Sequence, residues 1–369
     1  MRQLKRDSTG SDNFARDEDA SSALVCGNPA AVPSPRITIA IPTFKRPDLL
    51  RRAIESVLSA DHGTFPFDVI VVDNDPSPGP TETSELIGSY RDNRLLHYRN
   101  SRNLGMFGNL NRCISLARGE WIAILHDDDM LLPTYFQTIE SLIARKREFG
   151  AIAARFQAVD LRADHQDRSI ATDVEGGSQP PRGRPRRVKA LRDAIHALDQ
   201  SKLERIRANE SVLFLENLYG APTCGSLFRR ELALEAGGFG DSCPSEDWFF
   251  YDRMSRQYRV YRSRTALGVY TYDVNATLGP DVPLAFIADA VRFRDLTRNR
   301  SPYLRWFCWF FELEQNAHLV ERVAAFAAAS PEGFQLICEY RVRPARRALY
   351  EAHRALYDKR KKLGALVAG

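Results

Sequence analysis

The sequence predicts an α/β fold, a mixed and mostly parallel sheet flanked by helices in a Rossmann-like layering. Three observations carry that expectation. β-Branched or apolar runs at Ile37–Ile41, Val69–Val72 and Trp121–Leu125 alternate with segments of helical periodicity. Such alternation implies parallel strand pairs joined by right-handed crossovers. Each run also ends in a polar cluster, at Pro42–Arg46, Asp73–Asp75 and His126–Asp129, where an open sheet presents its carboxyl ends to ligands.

The elements follow in order. Residues 1–35 are rich in Ser, Asp, Arg, Gly and Pro and poor in large apolar groups, and are predicted to be a disordered tail. Ile37–Ile41 is the first strand. Pro47 then sits where a first helical turn tolerates it, and Leu49, Leu50, Ala53, Ile54, Val57 and Leu58 follow at helical spacing. Val69–Val72 is continuously apolar, as a strand covered on both faces should be. The Pro- and Gly-rich run Asn74–Pro80 ends it in a turn. A helix over 83–90, a strand over 95–98, a helix over 107–117, a strand over 121–125, a helix over 134–147 and a strand over 151–159 complete the alternation. Residues 164–187 lose apolar periodicity and gather Gly, Pro and Arg, the composition of a mobile insertion. Order is expected again by Val212, so that 36–278 forms one α/β domain and 279–369 a helical C-terminal region.

Composition narrows the function. With 369 residues and 44% hydrophobic content the chain can bury a substantial core. Six cysteines lie scattered with no C-x-x-C pair, which fits neither a disulfide framework nor a zinc site and suggests a reducing compartment. No apolar run approaches the ~20 residues needed to cross a bilayer, and the polar N-terminus is unlike a signal peptide, so a cytoplasmic location is expected. The net charge is +5, with the basic excess confined to Arg182–Arg207 and Arg341–Lys362. Neither stretch has the aromatic interleaving of a nucleic-acid module, and no nucleic-acid partner is expected. The aromatic run Arg305–Phe311 and the basic residues from Arg341 to Lys362 are candidates for peripheral contact with anionic lipid headgroups. The same residues also read as core aromatics and a solvated basic face.

Three clusters carry the chemistry. Asp127, Asp128 and Asp129 follow a buried strand, and three adjacent like charges need a cation or a hydrogen-bond network to offset their repulsion. Hard carboxylate oxygens suit Mg²⁺ or Mn²⁺, which would neutralise a diphosphate leaving group; the alternative is a solvated acidic loop before the next helix. Asp73-Asn74-Asp75 offers acceptors to a base N–H or to ribose hydroxyls, or else forms an Asx-turn. Glu246 and Asp247, after Ser245, form either the capped start of an aromatic helix or a general base that takes the proton of an attacking hydroxyl, with Asp247 the first choice and Glu246 the second.

Taken together, Ile39–Arg46, Ile70–Asp75, Asn103–Asn111, Gly119–Asp129, Gly237–Phe239 and Glu246–Trp248 resemble the inverting family-2 glycosyltransferases, which have the A-type glycosyltransferase fold. The resemblance covers about Arg36 to Leu278. It implies inverting transfer of a sugar from a nucleoside-diphosphate sugar to a glycan or lipid-linked acceptor, in polysaccharide or cell-surface glycan synthesis, with Mn²⁺ or Mg²⁺ as cofactor. Carried over position by position, Pro42, Thr43 and Phe44 would hold the base, with Arg46 a nearby cation. Asp73 and Asp75 would read base and ribose, Asn103 would lie close to the nucleotide and Asp127 near the ribose. Asp128 would bind the metal with Asp129 in support, and Asp247 would be the catalytic base. Where many members open with Tyr-Asn-Arg, this chain has Phe44-Lys45-Arg46. The late family loop that often supplies Arg and His to the diphosphate corresponds here to Val269–Thr277, which has neither. A nucleotidyltransferase and a non-catalytic binding module of the same shape are the rival classes. The first would need a Gly-rich, basic signature at the first strand turn, which Ile41–Phe44 lacks.

Overall fold

A strand covered on both faces must be apolar at successive positions, and the first strands of the sheet obey that rule. The computed structural model describes residues 12–145, 149–160, 203–206, 223–241 and 245–272, with Pro302 apart. In chain order the elements are β1 (Ser22–Cys26), β2 (Ile37–Thr43), α1 (Pro47–Leu58), β3 (Phe67–Asp73), α2 (Glu82–Gly88), β4 (Leu95–Asn100), α3 (Gly105–Leu116) and β5 (Trp121–Ile124). They continue with β6 (Met130–Leu131), α4 (Tyr135–Arg145), β7 (Ala151–Asp160), β8 (Leu203–Ile206), β9 (Leu227–Arg229), α5 (Arg230–Glu235), α6 (Glu246–Gln257) and β10 (Val260–Tyr272). The chain divides into two compact units, Met1–Asp173 with Gly220–Val274, and Val174–Tyr219 with Asn275–Gly369. Of the second unit only β8 and Pro302 are described; the expected insertion at 164–187 and the expected helical region 279–369 otherwise lie outside the described residues.

In the first unit nine strands follow the order β1-β4-β3-β2-β5-β9-β7-β10-β6. The strands β4, β3, β2 and β5 pair in parallel. β9 then runs antiparallel to both β5 and β7, and β10 is parallel to β7. Six strands, β4, β3, β2, β5, β7 and β10, therefore point the same way, and their carboxyl ends share one edge. This is the mixed α/β sheet that the alternation predicts. Every residue of β3 is buried and β2 is buried except at half-buried Pro42. Helix α1 starts at Pro47 and buries Leu50, Ala53, Ile54 and Val57, the i, i+3, i+4, i+7 stripe of a helix lying on a sheet.

Large rings fill the two faces. Phe67 and Phe136 lie 4.3 Å apart between centroids on one side, and Phe239 and Phe250 4.4 Å apart elsewhere. Each such fully buried side chain contributes about 1.5–3 kcal/mol of transfer free energy. At Gly119 the backbones of β2 and β5 approach so closely that a Cβ would stand 2.6 Å from the Thr38 nitrogen and 2.7 Å from the Trp121 oxygen. Among the described residues no helix is long and apolar enough to cross a membrane.

The stretch 12–35 departs from the disorder expected of residues 1–35. β1 extends the sheet antiparallel to β4 from Ser22 to Cys26. Asp17, 7% exposed, receives Arg102 at 3.0 Å, and Arg112 donates to the carbonyls of Asp17 and Ala20. Composition missed this because the segment has no core of its own: edge hydrogen bonds and arginines from the body of the fold order it.

Candidate functional site

The site begins where β2 ends. Thr43 stands opposite Asp73 in the sheet register, and its hydroxyl donates to the Asp127 carboxylate at 2.8 Å, a buried bond. The next residue, Phe44, is 42% exposed and offers an open aromatic face. Lys45 adopts a left-handed backbone with φ 55°, a strained choice for a side chain with a Cβ. Its ammonium lies 5.5 Å from the Phe44 ring centroid and 3.9 Å from Asp75. Arg46 turns the other way, with Nη1 3.6 Å from Asp127 and 3.5 Å from Asp128. One loop, 43–46, thus touches both acidic clusters.

At the end of β3 the backbone N–H of Asp75 donates to Asp73 at 3.0 Å, so the Asx-turn geometry is present. The other oxygen of Asp73 faces Nε2 of His97 at 3.7 Å, and both side chains are fully buried. Asp75 accepts from the amide and the hydroxyl of Ser77. Burial pushes the Asp75 carboxyl up, but the two Ser77 bonds, Lys45 and Arg99 outweigh it and hold the group below its ordinary value. Between the two aspartates, Asn74 acts as a hub: its amide donates to Asn103 at 2.8 Å and to the Gly105 carbonyl, and its oxygen accepts from Asn100 and from the Leu104 N–H. Exposed Asn103 is thereby tied to the acidic turn, at the start of α3.

The three consecutive aspartates after β5 divide into different environments. Asp127 is 7% exposed; burial raises its carboxyl and Asp128 adds to the rise, while Thr43 and Arg46 oppose them. Asp128 is the most exposed of the three. Asp129 is 1% exposed, turned inward to accept from the Thr271 N–H at 3.1 Å, and burial, with Asp128 next, pushes its carboxyl well above the ordinary range. Cys224 lies beside it, and its thiol is likewise pushed up by burial and by Asp129. Half-buried His126 pairs with the Thr223 hydroxyl.

Among the described residues no group of three or more His, Cys, Asp or Glu side chains could hold a metal ion by itself. The donor set nonetheless fits a hard divalent cation of the kind that keeps one or two carboxylates and takes its other oxygens from phosphate and water. Asp128 and Asp127 present such oxygens, and the Arg46 guanidinium lies within 3.6 Å of both.

On α6, Asp247 is half-buried in the first helical turn and accepts from the Trp248 N–H at 3.0 Å. It lies near Tyr251, whose phenol is raised by burial first and by Asp247 as well. Ser245 does not cap the helix with its side chain. Glu246 is 5% exposed and accepts from the Gly240 N–H at 3.0 Å, with Arg253 3.7 Å away. Its carboxylate is therefore held at the turn before the helix, and Asp247 is the more exposed of the pair. Residues that sequence reasoning did not single out are His97 and Thr271; Lys45 was named only as a departure from the family opening, and Asn74, expected to offer an acceptor to the ligand, instead bonds Asn103, Gly105, Asn100 and Leu104.

The fold and site together define a mixed α/β protein whose strand ends gather two carboxylate clusters around one basic loop. Residues 38–233, more than half of the chain, match the sequence model of glycosyl transferase family 2, and the chain belongs to that family. The A-type glycosyltransferase arrangement implied by the motifs is thus the one adopted. Among curated relatives, an uncharacterized protein of Mycobacterium tuberculosis is 33% identical over 221 residues, 60% of each chain. The GalNAc(5)-diNAcBac-PP-undecaprenol beta-1,3-glucosyltransferase of Campylobacter jejuni is 32% identical over 106 residues, 28% of this chain and 33% of its own. The chain spans between about a seventh and three fifths of the length of the curated relatives it matches. Among solved structures, the mannosyltransferase PcManGT from Pyrobaculum calidifontis, in complex with GDP-Man and Mn²⁺, aligns with a TM-score of 0.48 at 18% identity over 90% of this chain and 86% of that one.

Proposed function

We propose that the chain transfers a sugar, with inversion, from a nucleoside-diphosphate sugar to a glycan or lipid-linked acceptor in the synthesis of a polysaccharide or cell-surface glycan. The observation that carries this is the loop 43–46, which joins the acidic turn at Asp73–Asp75 to Asp127 and Asp128 through Lys45, Thr43 and Arg46. Family membership and the lipid-linked substrate in the name of the Campylobacter relative support the same class of reaction.

In this proposal Phe44 stacks on the base beside Pro42 and Thr43. Asp73 and Asp75 accept from base and ribose, Asn103 closes that end of the site, and Asp127 lies toward the ribose. Asp128, with the Asp127 carboxylate beside it, would hold Mn²⁺ or Mg²⁺, which when bound neutralises charge on the departing diphosphate; Asp129, expected to support the metal, faces inward to Thr271 and would shape the corner behind it. Arg46 adds a second positive charge to the same leaving group. Asp247 accepts the proton of the acceptor hydroxyl as its oxygen attacks the anomeric carbon, so the bond to the diphosphate breaks on the opposite face. Glu246 holds the turn that sets the position of Asp247.

Thermal-shift screening against UDP-, GDP- and dTDP-sugars, with and without Mn²⁺, tests the proposal, since a ligand that binds only the folded state raises its stability by mass action. A metal-dependent rise with one nucleotide is expected. Asp128→Ala should abolish that rise and the turnover of the donor while leaving the melting temperature of the free protein nearly unchanged. A wild-type protein indifferent to every nucleotide sugar would remove the proposal.

A further inference from the structure

The first described residues, upstream of the stretch matched by the family, reach the turn that leads into α6. Backbone and side-chain N–H groups of Asn13 both donate to the Gly237 carbonyl, at 3.2 and 2.9 Å. Arg16 pairs with Asp241 at the far end of that turn. Between them the Phe14 ring occupies the space a Cβ on Gly238 would need, 2.8 Å away, and Gly238 has a left-handed φ of 66° that favours glycine. The segment is itself anchored: Asp17 holds Arg102, and Arg112 binds the carbonyls of Asp17 and Ala20. Gly108 of α3 makes room for it, since a Cβ there would stand 2.8 Å from Asp17 Oδ2.

The same turn is held from two other sides. Asn111 of α3 donates to the Phe239 carbonyl at 2.8 Å and accepts from the Phe239 N–H at 2.7 Å. From α6, Glu246 accepts from Gly240, and Arg253 donates to the Gly238 carbonyl. Of the five consecutive residues Gly237 to Asp241, three are glycine and only Phe239 is anchored by a buried ring, stacked on Phe250; the shape of the rest is held by these ties.

We propose that residues 13–17 are a positioning strap for the start of α6: they fix the Gly237–Asp241 turn, which through Glu246 sets where Asp247 stands. This deepens the catalytic proposal and rests on its assignment of Asp247 as the base. The strap touches no reacting atom and acts through the turn.

The test is the double variant Asn13→Ala/Arg16→Ala in the full chain, which removes the two side-chain ties, leaves the backbone bond from Asn13 to Gly237, and keeps Asp17 on Arg102 and Arg112. Amide exchange at 237–241 and 245–250 should accelerate by about tenfold, the scale of one or two lost hydrogen bonds, with exchange in β2 to β5 unchanged. With UDP-glucose, GDP-mannose and dTDP-glucose plus Mn²⁺ as probes, kcat for donor hydrolysis should fall about tenfold while the donor KM stays within about twofold, the pattern of a lost transition-state contact. Arg16→Lys, which keeps the pairing with Asp241, should retain most of the rate. Unchanged exchange at 237–241 overturns the strap, and so does faster exchange throughout the sheet, which would mark the segment as a general stabiliser. Full hydrolysis by Asp247→Asn would instead overturn the base assignment, leaving the strap to be judged on exchange alone.

Discussion

Thr43 serves the sheet and the site at once. Its backbone completes the β2–β3 register opposite Asp73, while its hydroxyl is the buried donor to Asp127. Thr43→Val keeps the shape and removes the donor, which leaves a buried carboxylate oxygen with one partner fewer. A loss of about 1–3 kcal/mol in stability is expected from urea denaturation, together with weaker Mn²⁺ binding by calorimetry, because Asp127 becomes still harder to ionise. Lys45 offers the complementary case. Its left-handed backbone is strained for any side chain, so Lys45→Gly should relieve roughly 1 kcal/mol of strain while giving up the charge beside Asp75. A higher melting temperature with weaker donor binding is the expected outcome; a fall in both would show that the pairing with Asp75 matters more to the fold than the strain.

Elements were legible in the sequence wherever an apolar period ran unbroken. Val69–Val72 and the Leu50, Ala53, Ile54, Val57 stripe gave β3 and α1 within a few residues, because burial on two faces or one leaves an unambiguous pattern. The acidic clusters were legible as charge at the ends of apolar strands, and at Asp73 the Asx-turn that the sequence also allowed is present. β1 was not, because edge pairing and borrowed arginines leave no hydrophobic signature in the segment itself. The inward turn of Asp129 was not, because its partner Thr271 belongs to a strand far along the chain. Contacts between elements set two further expectations. Gly119→Ala drives a Cβ into backbone atoms of two strands and should cost about 3 kcal/mol or more, seen as a lowered melting temperature or failure to fold. Asp68, fully buried, ties β2 and the α3–β5 turn together through Thr38 at 2.7 Å and Arg118 at 2.7 and 3.1 Å. Burial raises its carboxyl above the ordinary value, and Thr38 and Arg118 only partly offset this. The folded state therefore binds this proton at a higher pH than the unfolded chain, and the group's contribution to stability declines as pH rises from about 4 through the raised value. In Asp68→Asn that decline should be absent from urea melts taken across the interval; an unaltered slope would refute the assignment.

For the molecule as a whole, the reversed strand β9 decides the layout. By running against both neighbours it lets β7 and β10 point in the direction of β5, so that six carboxyl ends meet on one edge. This late joining has a consequence for biosynthesis. The hydrogen bond from Thr271 to Asp129 spans 142 positions, so the corner around the three aspartates is finished only when the final described strand has left the ribosome. Contacts of such sequence separation close slowly. A nascent chain arrested before Val260 would carry Thr43 and Asp73 on paired strands, with Asp127 just past β5, and still lack the wall behind Asp129, and protease protection of that corner should appear only once translation has passed β10.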